Sequence, residues 1–192
     1  MLSRVIAGSR ASIFSTLLLV AIITTLGTAV GVTCGWVGGL TDTVLMRVSD
    51  VFLAFPGLVF ALAVAGVLGG GLQNAIIALA AISWPKYARI ARSQTLAQKE
   101  TQWMKAVRLS GSGTGKIILK HILPNCMAPI IVQATLSIAG SILAIASLSF
   151  IGLGISPPTP EWGSMVSTGR QYFRAAWWVC AFPGLSLIHI SE

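Results

Sequence analysis

The 192-residue sequence predicts an all-α integral membrane protein, and three observations carry that expectation. The chain is 55% hydrophobic and 9% charged, with mean hydropathy +0.84, where soluble domains average about 25% charged. Three stretches, Ala11 to Thr41, Val51 to Pro85 and His121 to Pro160, hold no Asp, Glu, Lys or Arg; a helix of ~20 such residues already crosses ~30 Å of hydrocarbon. Eight of the thirteen Lys and Arg lie between Lys86 and Lys120 against one acid, Glu100, as in a short cytoplasmic loop between membrane spans. The net charge of +8 is thus explained by topology. Nucleic-acid binding is not expected, because the cations cluster at the ends of apolar runs without a base-reading motif. Cys34, Cys126 and Cys180 are odd in number, widely spaced and set among apolar residues, which predicts small buried hydrophobes instead of a disulfide framework or a zinc site.

Taken in order, Arg4 and Arg10 precede a span predicted over Ile13 to Cys34. The apolar run is too long for a signal peptide, and further spans follow. Gly27, Gly31 and Gly35 repeat every fourth residue and give that helix a small-residue face for a close neighbour. Gly38-Gly39 ends it, and Asp42 to Asp50 reads as a short amphipathic connector with Asp42, Arg47 and Asp50 toward water. Two helices follow, Val51 to Leu68 and Leu72 to Ile90, divided at Gly69-Gly70-Gly71, with Pro56 and Pro85 near their ends. A further span is predicted over Met127 to Leu153, then a stiff bend at Pro157-Pro158-Thr159-Pro160. Glu161 to Arg174 reads as a polar segment whose Trp162, Tyr172 and Phe173, with Trp177 and Trp178, suit a membrane interface. Ala175 to Ser191 is short for a crossing.

The basic stretch contains the candidate site. Gln94 to Leu109 reads as a helix with no Gly or Pro, on which Leu96, Trp103 and Val107 share a face with Ala106 beside them. Ser110 to Gly115 breaks it, and Lys116 to Leu123 resumes helical patterning toward Pro124. Such a knob suits a groove in a partner protein, with apolar anchors ringed by positive charge. Gly113-Thr114-Gly115-Lys116 is not a phosphate loop, since Ser110 and Ile117 stand where the pattern needs Gly and Ser or Thr, and no strand precedes it. Any ATP is therefore hydrolysed by another chain.

Within this stretch Lys105-Ala106-Val107, Gly111 after three residues and His121-Ile122-Leu123-Pro124 after nine more resemble the E-A-A signature of ABC importer permeases (E-A-A, three residues, G, nine residues, I-x-L-P). LSRVIAGSRAS near the start, SWPKYARIARSQ, HILPN, ASLSFIGLGISPPTPEWG and AFPG resemble the C-type subunit of the dipeptide, oligopeptide and nickel subfamily, so the likeness covers nearly the whole chain. Lys105 stands where the motif has Glu, a reversal of charge, and Val107 where it has the second Ala. The resemblance implies a type I ABC transmembrane domain over residues 1–192, with about five of the usual six helices and a cytoplasmic coupling-helix loop. It places Trp103, Lys105, Ala106, Val107, Gly111, Leu123 and Pro124 at the contact with ATPase subunits. It also implies a second permease subunit in a heterodimer, an extracytoplasmic substrate-binding protein and a lipid bilayer as partners, in the bacterial inner membrane. No cofactor, metal site or catalytic residue is implied. The chain is expected to be a fragment, lacking the first helix and stopping within the last, because crossings counted from the basic loop put Arg4 and Arg10 outside, against the usual bias. Residues from about 186 on, LSLIHISE in part, resemble translated sequencing adapter and are expected to be non-native.

The expected function is ATP-driven import of di- or oligopeptides or of a nickel complex. A secondary transporter or channel subunit would need inverted repeats or charges at mid-membrane, and the sequence offers neither. A membrane enzyme would need a cluster of His, Asp or Glu near one face, and His121 and His189 are isolated. Gln73, Asn74 and Gln133 are candidates for lining a pathway or for interhelical hydrogen bonds.

Overall fold

Glycines and prolines divide an otherwise continuous run of helix in the computed structural model, which describes residues 1–191. Helix α1 is Leu2–Val37, α2 Gly39–Ala54, α3 Gly57–Val67, α4 Leu72–Lys99, α5 Gln102–Leu109, α6 Thr114–Ile117, α7 Leu123–Ile151, α8 Trp162–Gly169 and α9 Trp178–Ser191. A π-helical turn, Ile118–Ile122, joins α6 to α7, and a 3-10 turn, Arg170–Tyr172, follows α8. Among the described residues α1 and the stretch Thr114–Ile151 are long and apolar enough to cross a membrane, and α2 with α3, bent by 93°, forms a third candidate if taken together.

The expected connector and span around residue 50 are redrawn. Helix α2 runs through both, and the break falls at Phe55-Pro56, because Phe55 before a proline is driven to extended backbone (φ −87°, ψ 144°). The span expected over Leu72 to Ile90 is part of the longer α4, which runs on through Lys86, Arg89, Arg92 and Lys99 without the break expected between Ile90 and Gln94. Gln73 and Asn74 at one end and these cations at the other leave only a short apolar middle. Asn74 is engaged locally, its Nδ2 donating to the carbonyls of Leu68 and Gly70 at 2.7 Å, so it closes the Gly69-Gly70-Gly71 turn.

The chain forms two compact units whose boundaries fall within α1, α4 and α7 and at the α2–α3 break. The first comprises residues 1–21, 56–82 and 136–192. Its centre is a cluster of Val5, Ile142, Trp162 and Met165, with Ile138 and Leu187 packed against it. Glu161, fully buried, caps α8: its two carboxylate oxygens accept from the backbone N–H groups of Gly163 (2.9 Å) and Ser164 (2.8 Å). The Ser12 hydroxyl of α1 donates to the same carboxylate at 3.4 Å, and the Trp162 indole donates to the Val5 carbonyl at 3.0 Å. The polar interfacial role expected of Glu161 and Trp162 is thereby corrected, since capping hydrogen bonds let even a carboxylate go inside. Tyr172, Phe173, Trp177 and Trp178 are exposed.

The second unit comprises residues 22–55 and 83–135. Its seam is the face of Gly27, Gly31 and Gly35 on α1, against α4. A Cβ on Gly27 would strike Tyr87 and the Trp84 carbonyl, one on Gly31 the Ala88 carbonyl, and one on Gly35 would come within 2.7 Å of Thr95. Small residues let the two backbones approach, as their spacing predicts. Helix α2 is bound to α4 by charge: Arg92 makes a two-pronged hydrogen bond to Asp42 at 2.5 Å, and Arg89 one to Asp50 at 2.5 Å. Asp50 stays exposed, as expected, while pairing with Arg89, and Asp42, expected to face water, is half-buried against Arg92. Phe52 and Trp84 meet edge to face at 6.0 Å across the same pair of helices.

Candidate functional site: an outward knob at the end of the basic stretch

The expected single helix over Gln94 to Leu109 is two. Helix α4 ends at Lys99, and Thr101, a residue type suited to starting helices, takes extended backbone (φ −70°, ψ 151°) before α5. The break reorients the knob. Met104 is the residue of α5 that is fully buried, with Val107 half-buried one turn later, while Trp103 keeps 39% of its surface and rests beside His121 at 6.2 Å between ring centroids. Trp103, read from periodicity as an apolar anchor for a partner's groove, is thus partly exposed, and Met104, about 100° further around a helix of 3.6 residues per turn, is the residue that faces inward.

The opposite face is open. Gln102, Lys105, Ala106 and Leu109 are all exposed, Leu109 with 89% of its surface. Helix α5 closes with the Ser110 N–H donating to the Ala106 carbonyl at 3.0 Å, and the chain then reverses at Gly111, whose φ is +74°. That conformation is costly for any residue with a Cβ, although open space surrounds the position. The turn leads into one turn of α6.

Leu123 and Pro124 open α7. Pro124 has no N–H to give to the Lys120 carbonyl, and its ring would crowd that carbonyl in a regular helix. The π-helical turn just before it relieves this, with the Leu123 N–H reaching the Ile118 carbonyl. Leu123 is half-buried and Pro124 exposed. Trp103, Lys105, Ala106, Val107, Gly111, Leu123 and Pro124 thus all lie in the second unit, the first five along α5 and its turn, the last two at the start of α7.

Sequence reasoning missed what holds the knob. Trp36, in the last turn of α1, receives the Arg108 guanidinium over its ring at 4.8 Å and the Lys99 ammonium at 5.8 Å, and the Lys99 ammonium also donates to the Trp36 carbonyl at 2.8 Å. Lysine thereby caps the carbonyl end of α1, where positive charge is favoured. The only signal in the sequence is a tryptophan closing a long apolar run. Asp42, salt-bridged nearby, has its carboxyl held below the ordinary range by the Arg92 hydrogen bonds. Among the described residues no three His, Cys, Asp or Glu are grouped to hold a metal ion.

A profile of the family described as binding-protein-dependent transport system inner membrane component matches residues 27–192. The chain is 43% identical over 188 residues to the di/tripeptide transport system permease protein DppC of Pseudomonas aeruginosa, with 98% of this chain and 62% of the relative covered. It is 42% identical over 186 residues to the probable D,D-dipeptide transport system permease protein DdpC of Escherichia coli K12 (97% and 62%). With the glutathione transport system permease protein GsiD of Pectobacterium atrosepticum it shares 37% over 185 residues (96% and 62%). The chain therefore spans about 62% of the length of the curated relatives it matches. The fold resembles a chain of the inward-facing MetNI methionine ABC transporter in its CY5 native crystal form, with TM-score 0.67 at 19% identity over 96% of this chain and 89% of that one. The fold is thus that of the type I ABC transmembrane domain, and the apolar helices are those of a membrane protein. On the extent of the profile match and of these identities, the chain belongs to the family of binding-protein-dependent transport system inner membrane components.

Proposed function

We propose that residues 1–192 form a permease domain of an ATP-binding cassette importer for short peptides in the bacterial inner membrane, with ATP hydrolysed by separate subunits. One observation carries the reading: α5 turns Lys105, Ala106 and Leu109 outward while Met104 and Arg108 fix its other side. Its partners in this reading are ABC ATPase subunits, a second permease subunit and an extracytoplasmic substrate-binding protein. Trp103 and Leu109 are apolar anchors for an ATPase groove, Lys105 to Val107 form the contact ridge, Gly111 sets the turn, and Leu123-Pro124 passes movement into α7. ATP-driven closure of the ATPases would push α5, and the helices fixed to it would switch access by rigid-body movement. The relatives' names support peptides of two or three residues over a nickel complex.

The test is copurification of an ATPase subunit with the permease, comparing wild type with Gly111→Asp. The expected result is a loss of both retained ATPase and stimulated ATP turnover in the variant. Unchanged binding and turnover would overturn the coupling role.

A further inference from the structure

Two hollows in the second unit lie along one seam. The first, about 410 Å³, is lined by Trp36, Lys99, Arg108, Ser112, Thr114 and Ile117. The second, about 430 Å³, is lined chiefly by apolar surface and runs between α1 and the α6–α7 strand of helix, with Thr28 and Val32 on one side and Ile118, Leu119, Leu123 and Met127 on the other. Trp36, Val32 and Thr28 follow at four-residue intervals on α1, and Thr114 to Met127 runs the opposite way. The hollows are thus successive levels of the same groove.

Their depth in a membrane follows from the helices that bound them. Both stretches that are long and apolar enough to cross a membrane end here, α1 at Val37 and the other at Thr114. Trp36, which closes the uncharged stretch of α1 beside the Lys99 and Arg108 cations, has the company that tryptophan keeps at the boundary between hydrocarbon and water. The deeper groove reaches back to Thr24, twelve residues or roughly 18 Å along a helix rising 1.5 Å per residue. That is close to one leaflet of a hydrocarbon core about 30 Å thick.

The chemistry of the outer hollow is cationic. Lys99 spends one N–H on the Trp36 carbonyl and keeps two, and Arg108, over the indole ring at 4.8 Å, has no side-chain hydrogen bond among the described residues and keeps its N–H donors for a ligand. Ser112 and Thr114 add hydroxyls. Among the described residues no acid forms an ion pair with either cation, since the recorded pairs join Asp42 and Asp50 to Arg92, Arg89 and Arg47. A phosphodiester at headgroup depth matches this donor set, and basic pockets beside membrane helices take anionic headgroups in this way.

We propose that the two hollows are one binding site for a single anionic phospholipid, its phosphate between Lys99, Arg108 and the Trp36 indole and one acyl chain in the α1–α7 groove. Bound there, the lipid joins the end of α1 to the knob through Arg108. The proposal stands apart from the transport reading, because it concerns retention of lipid and not movement of a substrate.

The test is native mass spectrometry of the full chain purified in detergent, titrated with phosphatidylglycerol, with phosphatidylcholine and with inorganic phosphate. Arg108→Gln removes a cation of the site, Lys116→Gln removes an exposed cation outside it, and Ala29→Trp fills the groove from its open side. Both lipids carry the phosphodiester, but the choline ammonium of phosphatidylcholine cancels its charge beside Lys99 and Arg108, so net-anionic phosphatidylglycerol is expected to be retained over it by about 25-fold, at about fivefold for each of two cations. Arg108→Gln should remove about fivefold of that preference, Lys116→Gln none of it, and Ala29→Trp should lower retention of phosphatidylglycerol with Arg108 intact. Equal retention of the two lipids, an unaltered Arg108→Gln, or full binding by Ala29→Trp would overturn the site. Competition by inorganic phosphate at equal concentration would leave a phosphate site without a lipid. Loss of the lipid whenever protein partners are bound would assign the groove to an acidic protein segment, which overturns the proposal as well.

Discussion

Helices α5 and α8 are each eight residues long, follow an irregular segment and sit beside a tryptophan, yet they are built in opposite senses. Helix α8 hides Trp162, Gly163, Ser164, Met165 and Gly169, and its first N–H groups are taken by the buried carboxylate of Glu161. Helix α5 hides Met104 alone, and no side chain caps it. A helix whose ends are satisfied and whose faces are covered is part of the frame. One left open on a face, with leucine and lysine outward, offers that surface to something else. Burial separates the two roles where length does not, and charge goes with it, since α5 carries Lys105 and Arg108 while α8 carries no charged residue.

Substitutions that attack the frame should cost most. Gly163 sits so close to α7 that a Cβ would fall inside the Ala146 backbone, and Gly163→Val should destabilise by about 3 kcal/mol or more. A thermal melt in detergent reads this as a fall in Tm or a loss of folded protein; an unshifted melt would remove α8 from the frame. Glu161→Ala leaves the N–H groups of Gly163 and Ser164 and the Ser12 hydroxyl without their acceptor, at a cost of about 2 kcal/mol. Glu161→Gln keeps an acceptor oxygen and should recover part of the loss.

The knob should respond more mildly. Gly111→Ala meets no neighbour, so its cost is that of a Cβ at φ +74°, about 1–2 kcal/mol. Below that lies the Asp42–Arg92 pair, partly open to solvent and worth less than about 1 kcal/mol after screening. Its sign is fixed by the lowered carboxyl pKa of Asp42. The stabilisation is present above the ordinary carboxylate pKa of about 4 and is lost as pH falls through the lower folded value. Melting curves between neutral and acid pH should therefore show a dependence that Asp42→Asn diminishes; an identical pH profile in the variant would mean the pair does not hold α2.

Much of this was legible in the chain itself. The apolar runs, the glycine face of α1 and the glycine turn of the knob follow from composition and spacing, because helix periodicity and close backbone approach depend on neighbours a few residues away. What failed to show depends on contacts made far along the chain. Trp162 looked interfacial because an aromatic beside a charge usually is, and only the Val5 carbonyl and the Ser12 hydroxyl explain why both went inside. Gln94 to Leu109 looked like one unbroken helix with Trp103 on its docking face. The break before Thr101 leaves Met104 facing inward, and although threonine can start a helix, the Lys99 contact with the Trp36 carbonyl beside that break joins residues 63 apart and leaves no local trace. For the same reason nothing in the sequence paired Arg89 and Arg92 of α4 with Asp50 and Asp42 of another helix.

The smallest effect on stability should come with a large one on association, and this sharpens the contrast most. Leu109 is 89% exposed at the end of α5, on the same face as Lys105 one turn earlier. It touches too little of the chain to matter for folding, so Leu109→Ser should leave the melting curve within about 0.5 kcal/mol of wild type. Thr168→Ala, at the exposed position of α8, should be equally silent. If α5 is the surface a partner grips, the two variants part company when an ATPase subunit is copurified: Leu109→Ser should release it, because an apolar anchor in a desolvated groove carries a large share of binding, and Thr168→Ala should retain it. Equal retention by both would mean that Leu109 is one of the scattered apolar residues any surface carries, and the openness of α5 would lose its meaning.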